Sequence, residues 1–456
     1  MGEASVTPKS RPEERLMNWE EEFKKKIVTP EEAISRVKNG DRVCFVQGNE
    51  PQALGLSLAA RFGELENVTI SVRTPGRDFG WYDQGWEASF AIEIGFPLPI
   101  VRQMIAEKRC DIEIGSLGFD YHGEMARQAD FVLLELSPPD AHGYCSFGAS
   151  CWTKLTELRG AKFVIAEINK NLIRTYGANQ VHVSEIDLFV EHTPSGKAAP
   201  GGTDLLGRKN VEPGPVEKAI AGYVSTLIND GDTIQIGVGS TSEWCARMDT
   251  FDNKHDLGWY SEATPRGIIK LMRDGVITSK KKNYLNGKHI CTACGGGTIE
   301  DMQWVTMNPA FELHPAEYVL DVRNICQNDN MKAINSAVSV DLTGQIAAES
   351  VGPRILSGAG GQTTFAMGAG LSRGGRSITV LPSTASGGTL SRIVPMLEAG
   401  TVVTVPRIAA DTIITEYGIA RLKGLTVRQR ALALISIAHP DHRAELKKKA
   451  EELYWP

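Results

Sequence analysis

The chain tells one structural story twice. NGDRVCFVQGNEP (Asn39 to Pro51) is answered by DGDTIQIGVGSTS (Asp230 to Ser242), with Gly40 and Gly231, Asp41 and Asp232, and Gly48 and Gly239 each 191 positions apart. The same offset carries the next apolar segment, NVTIS (Asn67 to Ser71), onto GWYSE (Gly258 to Glu262). A turn, a β-branched run, a glycine-bearing loop and a second apolar run, repeated in that order, constrain the chain to two related α/β halves. Only the second copy ends in an acid. Open α/β sheets place their chemistry at the carboxyl ends of strands, so Glu262, expected at a strand end close behind a glycine-rich turn, is the residue to explain.

The rest of the pattern fits two similar α/β domains with mainly parallel sheets. Thr29 with Glu32 reads as a capping box opening a helix to about Lys38. Strands are expected at Arg42 to Val46, Val68 to Val72, Phe131 to Leu136 and Phe163 to Glu167, with a helix over Ala53 to Phe62. PSGKAAPGG and EPGP, between His192 and Pro215, have the composition of a linker. The boundary is therefore set near residue 210, giving an N-terminal domain over 1–209 and a C-terminal domain over 210–456 that carries Glu262. The second half predicts helices at Val216 to Asn229, Glu243 to Met248 and Pro265 to Arg273. Its strands fall at Thr233 to Ile236, up to Glu262, and near Tyr318 to Leu320, Ser377 to Leu381 and Thr401 to Val405, before a charged terminal helix.

Bulk composition excludes more than it suggests. With 42% apolar and 23% charged residues and a net charge of −6, the 456-residue chain lacks the concentrated basic surface of a nucleic-acid binder. No apolar stretch approaches the roughly 18 residues needed to span a bilayer. The polar start MGEASVTPKSRPEER has no apolar signal core. Eight scattered cysteines fit free thiols in a reducing compartment, so the expected location is cytoplasmic. Cys291 and Cys294 form a single CxxC, too few ligands for a structural zinc site, and are read as ordinary buried or loop thiols. The nine histidines show no HExxH or HxxxH spacing, so no metal is expected.

Three glycine-rich loops follow in the second half: IGVGSTSEW (Ile236 to Trp244), LSGAGGQTTF (Leu356 to Phe365) and LPSTASGG (Leu381 to Gly388). Successive backbone N–H groups at a turn into a helix make an anion site. GVGSTS falls short of a dinucleotide fingerprint, because Ser242 stands where the third glycine belongs. The reading that uses all three loops gathers them around one carboxylate. A carboxylate can attack an activated acyl group and form an anhydride, while backbone donors stabilise each tetrahedral oxygen.

With those residues in view, the chain resembles the class I coenzyme A transferases, specifically the acetyl-CoA hydrolase/transferase family. The likeness runs from about Thr29 to Thr426. It is carried by SPPDAHGYCSFG (Ser137 to Gly148), VIAEINKNLIRTYG (Val164 to Gly177), HVSEIDLFVE (His182 to Glu191), AINSAVSVDLTGQIAAES (Ala333 to Ser350), GAGGQTTF (Gly358 to Phe365), GGRSITVLPSTA (Gly374 to Ala385) and IITEYGIARLKG (Ile413 to Gly424). The resemblance implies two similar open α/β/α domains with the active site between them, and that LGWYSEATPRG (Leu257 to Gly267) holds the catalytic residue, Glu262. It implies that Val238 and Gly361 supply backbone donors, and that Gly239, Ser240, Thr241, Ser242, Glu243, Asn335, Ala337, Gly360 and Gln362 contact CoA. The implied reaction passes CoA between an acyl-CoA and a free carboxylate through covalent intermediates on Glu262. It needs no tightly bound cofactor, and coenzyme A enters as a substrate. The implied partners are acyl-CoA and small carboxylic acids, and the implied assembly is a homo-oligomer.

Departures from the family pattern leave alternatives open. GIGAIPD becomes GVGSTSE, and Met-Phe-Ser-Asp after the Glu becomes Ala263-Thr264-Pro265-Arg266. Water in place of the acceptor acid would make the chain an acyl-CoA hydrolase, and loss of chemistry would leave a CoA-binding homologue. Trp81, Trp86, Trp244 and Trp259 are read either as walls of an acyl pocket or as core aromatics. Arg73, Arg77 and Arg266 are candidates to pair with a second carboxylate on the substrate.

Overall fold

The computed structural model describes residues 19–48, 50–115, 117, 129–193, 212–248, 250–295, 297–358 and 360–455, with the backbone alone for Ser240. The expected linker, and the boundary near residue 210 with it, lies outside the described residues.

Seven strands form a wholly parallel sheet in the first half. Their order is Leu188–Glu191, Phe163–Ile168, Phe131–Leu136, Arg42–Phe45, Val68–Val72, Phe90–Ile94 and Cys110–Ile112. The strands are apolar on both faces. Val43, Phe45, Ile70, Leu133, Ile165 and Val190 pack into one cluster, while Cys44, Val132, Leu134, Val164, Ala166 and Phe189 pack into another on the opposite face. That alternation is the period-two geometry of a sheet covered on both sides.

The second half builds a six-stranded sheet in the order Gly258–Trp259, Thr233–Ile236, Met331–Ser336, Arg376–Val380, Thr412–Thr415 and Gly418–Arg421. It is parallel except for the last pair. Five consecutive strands in each sheet follow the same order, so the repeat seen in two segments extends through the topology. Its register does not hold throughout. Arg42 faces Thr69, but Thr233 faces Gly258 rather than Tyr260, a slip of two residues. By strand pairing, Glu262 therefore corresponds to Arg73 rather than to Ser71. A shift of two keeps every side chain on its own face.

A small three-stranded sheet joins the halves: His289–Cys291 and Phe311–Leu313 from the second, Tyr176–Gly177 from the first. Cys151 N–H donates to the Thr292 carbonyl (2.7 Å) and Cys294 N–H to that of Ala149 (2.8 Å).

Several elements differ from the sequence expectation. Tyr318 to Leu320 is not a strand: Pro315 caps a short helix, Ala316–Val319, which overrides the β-propensity of Tyr and Val. Thr401 to Val405 joins no sheet strand and makes one bridge, Val405 to Ile346. Met331–Ser336 lies mid-sheet although its sequence is too polar to read as a buried strand. Lys332 is paired with Asp232 (3.5 Å) and donates to the Gly374 carbonyl (2.7 Å). Asn335 exchanges amide hydrogen bonds with Gln235 (2.9 and 3.1 Å). Satisfying each polar group removes most of the burial penalty.

The tryptophans resolve as packing residues. Trp81 is fully buried among Phe45, Phe79, Tyr82 and Phe90, and Trp86 stacks on Phe90. Trp259 lies in the second core, and Trp244 is half-buried with the Arg247 guanidinium 4.4 Å from its ring centroid. Trp81→Ala is expected to cost about 3–5 kcal/mol of stability and Trp244→Ala about 1 kcal/mol or less. Urea denaturation followed by circular dichroism checks that ranking.

Candidate active site

Glu262 sits just past the point where its chain leaves the main sheet. Pairing with Thr233–Ile236 ends at Trp259, and the following residues turn to the small sheet through bridges Tyr260 to Ile290 and Ala263 to Ala293. Both Thr292 and Ala293 donate N–H groups to the Glu262 carbonyl (2.8 and 3.1 Å). The main chain is thereby fixed on both sides of the carboxylate. The expected strand ending at Glu262 is thus extended chain that has changed partners.

The side chain points at the second glycine loop. Gly361 N–H donates to Glu262 Oε2 at 2.6 Å. Gly361 caps the helix Gln362–Leu371, so the carboxylate faces a helix N-terminus, where partial positive charge favours an anion. A glycine is required there by proximity. A Cβ at Gly361 would lie 2.5 Å from Glu262 Oε2 and 2.2 Å from Leu320 Cδ2, and one at Gly360 would lie 3.7 Å from the carboxylate. Desolvation pushes the Glu262 carboxyl up to about 7, against the opposing pull of the Gly361 N–H. The side chain is recessed but still reached by solvent, so the shift reflects the cleft rather than a sealed interior.

The first loop approaches from the other direction. Val238 packs with Trp152, Ala263 and Ala293. Gly239 caps the helix Ser240–Arg247 and lies so close to Ser336 that a Cβ would approach its Oγ to 2.4 Å. Ser242 is turned inward: its hydroxyl donates to the Gly237 carbonyl (2.6 Å), and its N–H donates to Ser336 Oγ (2.9 Å). Thr241 is buried, Glu243 is partly exposed, and Ala337 lies in an apolar cluster. Asn335 is occupied by Gln235. Ser242 and Asn335 therefore hold the loop in shape, whereas Gln362 has a buried Nε2 with no hydrogen-bond partner among the described residues. The third loop is anchored by Glu416, which accepts from Ser383 N–H (2.8 Å) and hydroxyl (2.6 Å).

The first half supplies contacts that no local pattern in the sequence marks. The backbone at Gly358 meets Gly95 and Phe96 so closely that a Cβ would lie 2.6 Å from the Gly95 carbonyl oxygen. Trp152 N–H donates to Thr292 Oγ1 (2.9 Å). The three arginines are committed. Arg73 is paired with Glu113 and, through Nε, with Glu157 (3.2 Å). Arg77 donates to Gln52 (2.6 Å) and lies 3.7 Å from Glu135. Arg266 is engaged as well. Cys291 and Cys294 are buried and free, with burial pushing the Cys291 thiol up to about 12. Glu135, Glu167 and His192 gather within 4.8 Å at the strand ends of the first sheet. Glu167 already accepts from Ala53 and Leu54 N–H groups (2.7 and 3.2 Å) and pairs with His192.

The chain is similar to known proteins over most of its length. The family model for the acetyl-CoA hydrolase/transferase C-terminal domain matches residues 297–450. The 4-hydroxybutyrate coenzyme A transferase of Clostridium kluyveri is 39% identical over 446 residues, covering 96% of this chain and 100% of that protein. The succinyl-CoA:cyclohexane-1-carboxylate CoA transferase of Geobacter metallireducens is 34% identical, covering 96% and 97%. Among solved structures, RipA from Yersinia pestis superposes with a TM-score of 0.86 and the 4-hydroxybutyrate CoA-transferase of Porphyromonas gingivalis with 0.74. Each is 30% identical and covers 96% of this chain and 100% of its own. No helix among the described residues is long and apolar enough to cross a membrane. A carboxylate held against a glycine turn, on a doubled α/β frame shared end to end with such relatives, places this chain in the acetyl-CoA hydrolase/transferase family, as an enzyme that transfers coenzyme A.

Proposed function

We propose that the enzyme exchanges CoA between an acyl-CoA and a free carboxylic acid, with Glu262 as the covalent relay. The observation that carries this is the hydrogen bond from Gly361 to a carboxylate that has no other side-chain hydrogen bond or ion pair among the described residues. A nucleophile needs exposed electron density and a donor placed where charge develops, and this group has both.

The steps follow from the atoms. A Glu262 oxygen adds to the thioester carbonyl, and the tetrahedral oxyanion is stabilised by backbone N–H groups of Val238 and Gly361. CoA thiolate leaves, and an acyl-glutamyl anhydride remains. The thiolate then adds to the glutamyl carbonyl, expelling the first acid and leaving a glutamyl-CoA thioester. A second acid reverses both steps. The helix start at Gly239 to Glu243, with Gly360 and Gln362, would contact CoA, and the unsatisfied Gln362 amide supports that assignment. Asn335 and Ala337 would shape the floor from behind.

Glu262→Gln should lower exchange by at least about a thousandfold, and hydroxylamine should trap a modified Glu262 peptide only when acyl-CoA is present. Retention of near-normal exchange contradicts the relay. CoA release that ignores added acids would instead identify water as the acceptor.

Because the attacking form is ionised, kcat/KM should rise with pH along a single limb near 7, and Glu262→Asp should move that limb. The stability effect has a definite sign. A folded-state value near 7 against an ordinary 4.5 means that ionisation opposes folding. Wild-type stability should thus fall relative to Glu262→Gln as pH rises from about 4.5 through 7, by about 1–3 kcal/mol. Thermal midpoints at pH 5 and 8.5 check this.

Gly361→Ala places a methyl group where the carboxylate sits. It should reduce kcat about a hundredfold, the typical worth of one oxyanion donor, with unchanged circular dichroism and a smaller effect on KM.

A further inference from the structure

The nucleophile's main chain is tied to the first half through a buried residue, Thr292. Its N–H donates to the Glu262 carbonyl (2.8 Å), its carbonyl accepts from Cys151 N–H (2.7 Å), and its Oγ1 accepts from Trp152 N–H (2.9 Å). The last two bonds cross to the first half. Ala293 also donates to the Glu262 carbonyl, at 3.1 Å, but its methyl group cannot carry a hydrogen bond further.

The far end of this tie is rigid. Residues 149–152 run antiparallel to 292–294, with Ser150 opposite Ala293 and Cys294 N–H on the Ala149 carbonyl (2.8 Å). Ala293 in turn lies opposite Ala263, next to the nucleophile. Lys154, 2% exposed, fixes Ser150 by donating to its carbonyl (2.9 Å) and its hydroxyl (3.1 Å). The loop at Gly48 closes on the same point, since a Cβ there would lie 2.7 Å from Ser150 Oγ. Trp152 holds φ at +45° with its carbonyl bound to Ala316 N–H (2.8 Å), so the direction of its own N–H is set as well. A bulky residue keeps that backbone conformation only when its surroundings over-determine it.

The near end demands precision. The Glu262 carboxylate meets Gly361 N–H at 2.6 Å, from an element separate from the one that fixes its main chain. Attack on a thioester needs the reacting atoms about 3–3.5 Å apart and aligned, and a misplacement of about 1 Å can cost about a hundredfold in rate. Without the Thr292 oxygen, the buried Trp152 N–H would lose its acceptor, a penalty that separation of the two segments relieves. Such a separation displaces the strip that carries Glu262.

We infer that Thr292 is a positioning residue for the nucleophile: its side-chain oxygen and main-chain N–H together transmit the fixed geometry of the first half to Glu262. This inference rests on the relay role of Glu262.

Thr292→Val keeps the branched shape and removes the oxygen. Its kcat should fall at least about tenfold with KM within about twofold of wild type. Thr292→Ser keeps the oxygen and should stay within about threefold of the wild-type kcat. Hydroxylamine trapping under saturating butyryl-CoA separates positioning from damage. The final extent of Glu262 labelling counts folded sites, and the initial rate per site reports the attack. The valine variant should label to the wild-type extent at a reduced rate. A wild-type rate per site overturns the inference, and so does a serine variant as slow as the valine one. Glu262→Gln, assayed alongside, keeps the two claims apart. Retained exchange in that variant overturns the relay, whereas a fast valine variant beside an inactive Glu262→Gln overturns only the role of Thr292. Should Thr292→Val fail to fold, Thr292→Ala carries the same comparison with the same expected direction.

Discussion

One hydrogen bond organises this molecule: the Gly361 N–H on the Glu262 carboxylate. It comes from a helix N-terminus, where donors are free by construction, and it reaches a side chain whose own main chain is fixed by Thr292 and Ala293. Burial, with no cationic partner among the described residues, raises the carboxyl toward neutrality, and the Gly361 donor limits that rise. A strong ion pair at this position would have depressed the pKa and drawn electron density from the carboxylate. The absence of a side chain at Gly361 is what lets the group sit here, since a Cβ there would lie 2.5 Å from Glu262 Oε2.

The doubled architecture explains how one half came to hold the chemistry and the other the support. By strand pairing, the counterpart of Glu262 is Arg73. In the first half that position is a guanidinium fixed between Glu113 and Glu157, an ion-pair network with no evident room for a reacting group. In the second half pairing stops two residues earlier than in the first, and the chain presents a carboxylate to a glycine turn. The first half meets the second through Phe96, close to Gly358, and Trp152, bonded to Thr292. The same fold thus yields a rigid buttress and a reactive cleft, separated by one register slip and a change in charge.

Much of this was legible in the residues. The repeated GD turn and following β-branched run located the Arg42–Phe45 and Thr233–Ile236 strands, and Phe131–Leu136 declared itself by continuous apolarity. Met331–Ser336 did not, because its burial depends on Asp232 and Gln235, which lie about a hundred residues away. Glu262 and Gly361 could be paired as candidates only through family likeness, since no spacing links positions that far apart. Ser242 and Asn335 show the limit of that likeness: both carry polar groups suited to a ligand, and both spend them on neighbouring strands and turns. Trp152 shows the opposite limit, a buried residue with no local signature that ties the first half to Thr292 and Ala316 of the second.

Oxygen bookkeeping reaches the central claim most directly. If an acceptor acid attacks a glutamyl-CoA thioester and CoA then returns to the acyl carbon, one oxygen of that acid must remain on Glu262. A single turnover with an ¹⁸O-labelled carboxylic acid, followed by digestion and mass spectrometry, should leave the Glu262 peptide heavier by about 2 Da, as an anhydride intermediate requires. Acyl-CoA product formed without any label in that peptide would contradict the account.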